Sequence, residues 1–361
     1  MPPRTGPNEA PLLTAHPHQL GVQEWATYAL VVDTRRRVQY EKDHIPGAVC
    51  VPVQSPSSLQ SSKEHAARAK AGDSSSPSTQ APVPASLIDA TVGTPSGSSV
   101  LLYGDGGEDA LATPATWLRE RGLVVDVLAG GWASYRSWVA ASLELLPRLF
   151  AFRVLAAPPA SGIEQVIEAL CELGEQAIDI GAQVAANRWP GAPRAARQSM
   201  SQAAFETWLL NTLRHRETNT VVWVAGALDL PPPLRLPAAM RDAMARAPMT
   251  VLRVPPAIRA HSWIKRLLPS AASPHPSGEV SWPGAGQGAL DALAKSIDQL
   301  ARGDSDLAVA TLVAACLDEH SPDALTCEPD SELLIDDLEE QAVKAVVERW
   351  LAHRDSRQSS P

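Results

Sequence analysis

The stretch Val100-Leu101-Leu102-Tyr103 constrains this chain most. Four residues suited to a buried strand stand in a row, are stopped by Gly104-Asp105-Gly106-Gly107, and give way to a helical pattern over about 111–121. A short uninterrupted run of this kind suits a strand covered on both faces. A glycine-rich stop followed by a helix start gathers backbone N–H groups that favour an anion or a thiolate. The pattern recurs along the chain. Ala29-Leu-Val-Val32 is a second such run, Pro46-Gly47 marks a tight turn, and Val49 to Val53 and Val124 to Leu128 read as further strands. Beyond a helix over about 132–146 come the strand-like Phe152–Leu155, Ala177–Ile180, Val221–Val224 and Thr250–Val254, with a helix at Ile163–Leu173 and another around Phe205–Leu213. Strands alternating with helices predict an α/β fold built on parallel sheets.

At 361 residues, 45% of them apolar, the chain has material for two domains and their cores. A net charge of -9 argues against a broad basic surface that would hold nucleic acid by neutralising phosphates, so no DNA partner is expected. Four cysteines, Cys50, Cys171, Cys316 and Cys327, are scattered without C-x-x-C spacing, which predicts neither a metal site nor a disulfide framework and suits a reducing cytoplasm. No apolar run approaches the ~20 residues that span a bilayer, and no membrane association is expected. The segmentation read from composition is a disordered N-terminus at 1–18, a first domain at 19–146 with a low-complexity Ser/Pro/Ala insertion at 54–98, a second α/β domain at 150–266, a Pro/Ser/Gly linker at 267–286 and a helical tail at 287–361. The last tail helix is expected over roughly 331–353, capped by Asp330 or Ser331.

Three blocks resemble the rhodanese domain in order and content: Val31-Val32-Asp33-Thr34-Arg35 with Tyr40 and His44-Ile45-Pro46-Gly47-Ala48, then the strand-loop-helix after Tyr103, then Leu128-Ala129-Gly130-Gly131-Trp132. The resemblance implies a catalytic cysteine at the start of the middle loop, carrying sulfur as a covalent intermediate. This chain has Gly104 there, and Asp105, Gly106 and Gly107 form the remnant of the loop. Cys50 is a weak substitute, since it sits on an apolar strand where cysteine behaves as a small hydrophobe. His44 and Asp33 match positions that, by resemblance, brace the fold.

The continuation is similar to the bacterial tRNA 2-selenouridine synthase family, in which a rhodanese domain precedes a P-loop-like domain. Gly130-Gly131-x-x-x-Tyr135-Arg136, Val154-Leu155, Ile178-Asp179-Ile180, Ser201-Gln202-Ala-Ala-Phe205-Glu206 and Val222-Trp223-Val224 carry that likeness from about Val31 to Ile258. It implies action on wobble 2-thiouridine of tRNA, with selenium from selenophosphate replacing sulfur through a geranylated intermediate. The reagents of that chemistry are missing. The loop Ala157-Pro158-Pro159-Ala160-Ser161-Gly162-Ile163-Glu164 has lost its lysine and hydroxyl residue and gained two prolines, leaving Ser161 and Gly162 as the phosphate-loop remnant. The family's acidic run is Ala225-Gly226-Ala227-Leu228 here.

No cofactor and no metal are therefore expected. Arg136, Arg188, Arg194 and Arg197, with Trp189 for base stacking, are the candidate RNA contacts. The expected function is a binding pseudoenzyme whose partner is tRNA or a protein. Two alternatives stand beside it: an altered tRNA sulfur- or selenium-transferase with Cys50 or a partner supplying the chemistry, and a protein-interaction module.

Overall fold

The computed structural model describes residues 13–15, 27–53, 84–105, 108–158, 161–185, 200–226, 228, 230, 232–262, 295–296, 298–299, 302–304, 307–308, 311 and 330–358. They form two compact units, one of residues 1–143 with 203–215 and one of residues 144–202 with 216–361. Each is a mixed α/β structure on a five-stranded, wholly parallel sheet. No helix among the described residues is long and apolar enough to cross a membrane.

The first unit runs β1 (Leu13–Ala15), β2 (Leu30–Asp33), α1 (Arg37–Lys42), β3 (Val49–Cys50), α2 (Ala85–Ala90), β4 (Ser99–Tyr103), α3 (Glu108–Glu120), β5 (Val124–Leu128) and α4 (Gly131–Leu145). Its strand order is β1-β5-β4-β2-β3. Every residue of β2 and the last four of β4 are buried, as continuous runs in a parallel sheet require. On α4, Tyr135, Val139 and Leu143 bury one stripe at spacing four. The chain leaves β2 toward β3 and leaves β4 toward β5, in opposite directions. The crevice beyond the carboxyl ends of β2 and β4 is therefore the topological switch point, the place where such sheets hold ligands.

Three features of this unit depart from the sequence reading. The insertion expected at 54–98 does not extend to 98: residues 84–98 are folded, and Leu87 of α2 is fully buried in the core with Val100, Leu102 and Leu118. A six-residue helix offers too few apolar residues to show a period, so composition hid it. The expected disorder of 1–18 concerns a stretch of which only β1 is described, a strand paired with β5. The helix α7 (Gln202–Arg214), expected within the second domain, has all but its first residue in the first unit.

The second unit contains β6 (Ala151–Ala156), α5 (Ile163–Glu172), β7 (Gln176–Asp179), α6 (Ile180–Ala185), β8 (Val221–Ala225), α8 (Ala238–Arg246), β9 (Met249–Arg253), β10 (Ser331–Leu334) and α9 (Glu340–Gln358), with strand order β10-β9-β6-β8-β7. The expected final helix over 331–353 is corrected here. Residues 331–334 are an edge strand parallel to β9, and the helix starts at Glu340. The reason lies in the local pattern: Leu333 and Ile335 alternate inward while Leu334 is 64% exposed, a period of two rather than 3.6. Leu333, Ile335, Val343 and Val347 then enter one core with Val166, Leu170 and Trp223, so the end of the chain completes this sheet. The expected linker 267–286 lies outside the described residues.

The strand register makes a paired prediction. Leu333→Ala is expected to cost about 2–5 kcal/mol in a urea melt, and Leu334→Ala less than about 0.5 kcal/mol. Equal costs would contradict the strand.

Candidate functional site

In the first unit the loop that follows β4 is framed by a buried polar network. Asp33 ends β2, and its carboxylate accepts from Arg35 Nε at 3.0 Å, from Arg35 Nη2 at 2.7 Å and from the Tyr103 hydroxyl at 2.8 Å. Arg35 Nη2 also donates to the carbonyl of Asp43 at 2.6 Å, and the Ile45 N–H donates to Tyr103 Oη at 3.1 Å. The indole of Trp132 lies 3.6 Å from the Arg35 guanidinium carbon, covering its face. Burial, seconded by the Asp33 charge, pushes the Tyr103 phenol far up, so it stays protonated and donating. This network ties β2, β4, the turn at 43–45 and the start of α4 into one block.

Gly104 is buried within this block, and its carbonyl accepts from the Trp132 N–H at 2.9 Å. The Gly130-Gly131 pair has φ of 68° and 56°, a left-handed turn that side chains resist, and this aims α4 back at the loop. A Cβ on Gly104 would lie 2.4 Å from Thr34 Oγ1. That hydroxyl donates to the Tyr103 carbonyl at 2.9 Å and is held by the backbone N–H of Thr34 donating to the same oxygen. A side chain at position 104 would therefore require Thr34, a short β-branched residue with little freedom to move, to shift. Asp105 is exposed and takes a hydrogen bond from Gln39. Gly106 and Gly107 lie outside the described residues.

Cys50 pairs in register with Asp33 and is half-buried. Burial, with the Asp33 charge behind it, pushes its thiol up, away from the thiolate that sulfur chemistry needs. His44 stacks on Tyr40 at 4.0 Å, with its Nδ1 2.9 Å from the Tyr40 carbonyl, a brace of the turn.

Arg136, a candidate RNA contact, is committed elsewhere. Its Nη1 donates to Asp43 Oδ2 at 3.0 Å, Thr207 Oγ1 at 3.0 Å and the Ala203 carbonyl at 3.1 Å, and its Nη2 pairs with Glu206. Thr207 Oγ1 donates to Asp43 Oδ2 at 3.0 Å, and Arg214 lies over Trp138 at 4.6 Å. The motifs ending at Arg136 and Glu206 therefore meet as a clamp that seats α7, a pairing across 70 residues that periodicity does not reveal. Arg188, Trp189, Arg194 and Arg197 lie outside the described residues.

In the second unit Ser161 and Gly162 precede α5. Gly162 has φ +71°, and a Cβ there would come within 2.5 Å of Leu338 Cδ2. The side chain of Leu338 thus packs against this turn. Ser161 is 1% exposed, and among the described residues its hydroxyl has no hydrogen-bond partner. Asp179 caps α6 through the Ala182 N–H at 2.6 Å, and burial raises its carboxyl, with Glu164 adding to the effect. A Cβ on Gly226, whose φ is +144°, would stand 3.1 Å from Ile180 Cβ, and the preceding Ala225 is buried. Among the described residues no group of three or more His, Cys, Asp or Glu is arranged to hold a metal.

The family model of the rhodanese-like domain matches residues 17–137, so this stretch is a rhodanese-like domain. It takes in the Asp33–Arg35–Tyr103 network, the loop at Gly104 and the start of α4. No curated protein matches the chain.

Two predictions follow from this geometry. Arg35→Met strands a buried carboxylate and is expected to cost about 3–5 kcal/mol, whereas Arg37→Met, which breaks only the exposed 3.9 Å pairing with Glu41, should cost less than about 1 kcal/mol. Asp43 supplies the second. Burial outweighs the pull of Arg136 and Thr207, so its carboxyl is held above the usual aspartate range. That contribution favours the folded state fully below the ordinary aspartate value and is lost as pH rises through the folded value. Denaturation of the wild type and Asp43→Asn across the acid range should show the wild type's relative stability falling as pH rises through that window. A relative stability that rose with pH would mean that Arg136 outweighs burial.

Proposed function

We propose that the protein is a binding pseudoenzyme, with a rhodanese-like domain that transfers no sulfur, on a frame like that of the tRNA 2-selenouridine synthases. One observation carries this reading: the place a catalytic cysteine needs at Gly104 is occupied by Thr34 Oγ1, 2.4 Å from where its Cβ would stand. A missing nucleophile alone is a point change; a filled site is a site that the fold now uses for packing. Leu338 over Gly162 supports the same reading for the phosphate turn. The half-buried Cys50, with its thiol pushed up, supplies no replacement.

The partner implied by the resemblance is tRNA, and the basic stretch left for it holds Arg188, Trp189, Arg194 and Arg197. A second reading, a module for a protein partner, is favoured by the net charge of -9 and by the commitment of Arg136 to Asp43 and Glu206.

Thiocyanate production from thiosulfate and cyanide tests the chemistry. The wild type and Gly104→Cys are expected to be inactive, and Gly104→Cys combined with Thr34→Ala to turn over measurably, because the obstacle is gone. Wild-type turnover abolished by Cys50→Ser would restore the enzyme reading, as would geranylated or selenated nucleoside after incubation with 2-thiouridine tRNA, geranyl diphosphate and selenophosphate. A mobility shift of that tRNA that weakens with salt supports the RNA partner; no shift at low salt removes it and leaves the protein partner.

A further inference from the structure

Two arginines share one buried indole at the amino ends of the second sheet. Arg153, the third residue of β6, pairs in register with Trp223 of β8, and β9 joins β6 only from Val154 onward. Arg153 therefore lies beyond the amino end of β9, at the opposite end of the sheet from the Gly162 turn. Trp223 is fully buried, and Trp350 of α9 packs on it with the ring centroids 5.3 Å apart. Four residues further along α9, the guanidinium carbon of Arg354 stands 5.4 Å from the Trp223 centroid, and that of Arg153 stands at the same distance. An aromatic face attracts a cation, so one arginine here is favourable. Two in a partly desolvated place repel each other.

The carboxylates nearby are engaged with other donors. Glu175 accepts from Trp223 Nε1 at 2.8 Å through Oε2 and from Arg354 Nη2 at 3.3 Å through Oε1. Asp330 Oδ2 accepts the Met249 N–H at 2.7 Å. Arg153 is left half-buried against the ring, and among the described residues its guanidinium makes no hydrogen bond and no ion pair. Burial, with the charge of Arg354 behind it, pulls Arg153 below the ordinary arginine value, against the smaller opposing pull of Asp330 and Glu175. It still carries its charge and five donors at any working pH. An apolar side chain would cover Trp223 without desolvating a charge, so the guanidinium breaks a local rule with no gain inside the fold, which is the mark of a group that serves a ligand.

We propose that Arg153 anchors an oxyanion site at the amino ends of β6 and β8, holding a phosphate or carboxylate group in the fork of its guanidinium, and that occupancy seats α9 by neutralising the repulsion between Arg153 and Arg354. A planar fork with its donors unspent is the arrangement that takes such groups two bonds at a time. Arg354 keeps its bond to Glu175 throughout, and the anion relieves the one charge that the fold leaves unanswered. The site uses neither the loop at Gly104 nor the turn at Gly162, and it stands or falls apart from the pseudoenzyme reading.

Calorimetric titration of the full chain with inorganic phosphate and with citrate, against chloride at matched ionic strength, tests it. At least one of the two is expected to bind, the tighter naming the head group. Arg153→Met should abolish binding, and Arg153→Lys, which keeps the charge and loses the fork, should weaken it roughly tenfold. Arg253→Met, at an exposed ion pair elsewhere on the sheet, and Ser161→Ala, at the turn before α5, should leave it unchanged. At saturation the anion should raise the melting temperature of the wild type by roughly 2–6 °C and that of Arg153→Met not at all. Deuterium exchange on the wild type, expected to slow over residues 350–358 when the anion is present, keeps the test decisive if Arg153→Met unfolds. The proposal is overturned by no binding of either anion at millimolar concentration, by binding that survives Arg153→Met, by exchange over 350–358 that ignores the bound anion, or by loss of binding in Arg253→Met or Ser161→Ala, which would place the anion elsewhere.

Discussion

A charge pair that water does not reach organises the first unit. Asp33 and Arg35 lie 2.7 Å apart, with side chains 0% and 2% exposed. Two charges taken that far out of water are tolerated only when every remaining donor and acceptor is answered. Here the answers come from four parts of the chain: Tyr103 at the end of β4, the backbone at Asp43, the Ile45 N–H through Tyr103, and the face of Trp132. Because the pair demands all of them at once, it fixes the spacing of β2 and β4, the turn before β3 and the entry to α4. None of these demands involves a group at position 104. The frame of a sulfur-transfer site and its nucleophile are energetically separate, and a chain can keep the first after losing the second.

The same separation has a second consequence at the switch points. A crevice emptied of its ligand exposes apolar walls and unpaired backbone groups, and the cheapest repair is a side chain already within reach. In the first unit Thr34 closes the crevice and satisfies the Tyr103 carbonyl. In the second, Leu338, which follows β10, packs against the turn at Gly162.

Much of the architecture was legible in the sequence because parallel strands announce themselves: Leu30–Asp33, Ser99–Tyr103 and Val221–Ala225 are buried on both faces and so are written as unbroken apolar runs. The loop at Gly104 was legible as a strand end for the same reason, since it follows such a run. What stayed hidden depends on distant partners or on lengths too short for a period to show. The helix Ala85–Ala90 places one leucine in the core. Ser331–Leu334 is read as a strand only once β9 is beside it, because four residues fit either period. Nothing in Thr34 or Leu338 marks them as stoppers until the glycine each one faces is seen in space.

The Arg136–Glu206 clamp gives two distant sequence motifs one structural use. Gly130-Gly131 turns the backbone so that α4 projects Arg136 toward α7, and Ser201-Gln202-Ala-Ala-Phe205-Glu206 starts α7 so that Glu206 and Thr207 face it while Phe205 is buried. Asp43, from the turn that the Arg35 network holds, completes the cluster through Arg136 and Thr207. These motifs are therefore read most simply as structural contacts, reached from both ends by the same buried charges that set the sheet. A motif of this kind is tested by stability rather than by turnover, because removing one partner strands the buried charge of the other.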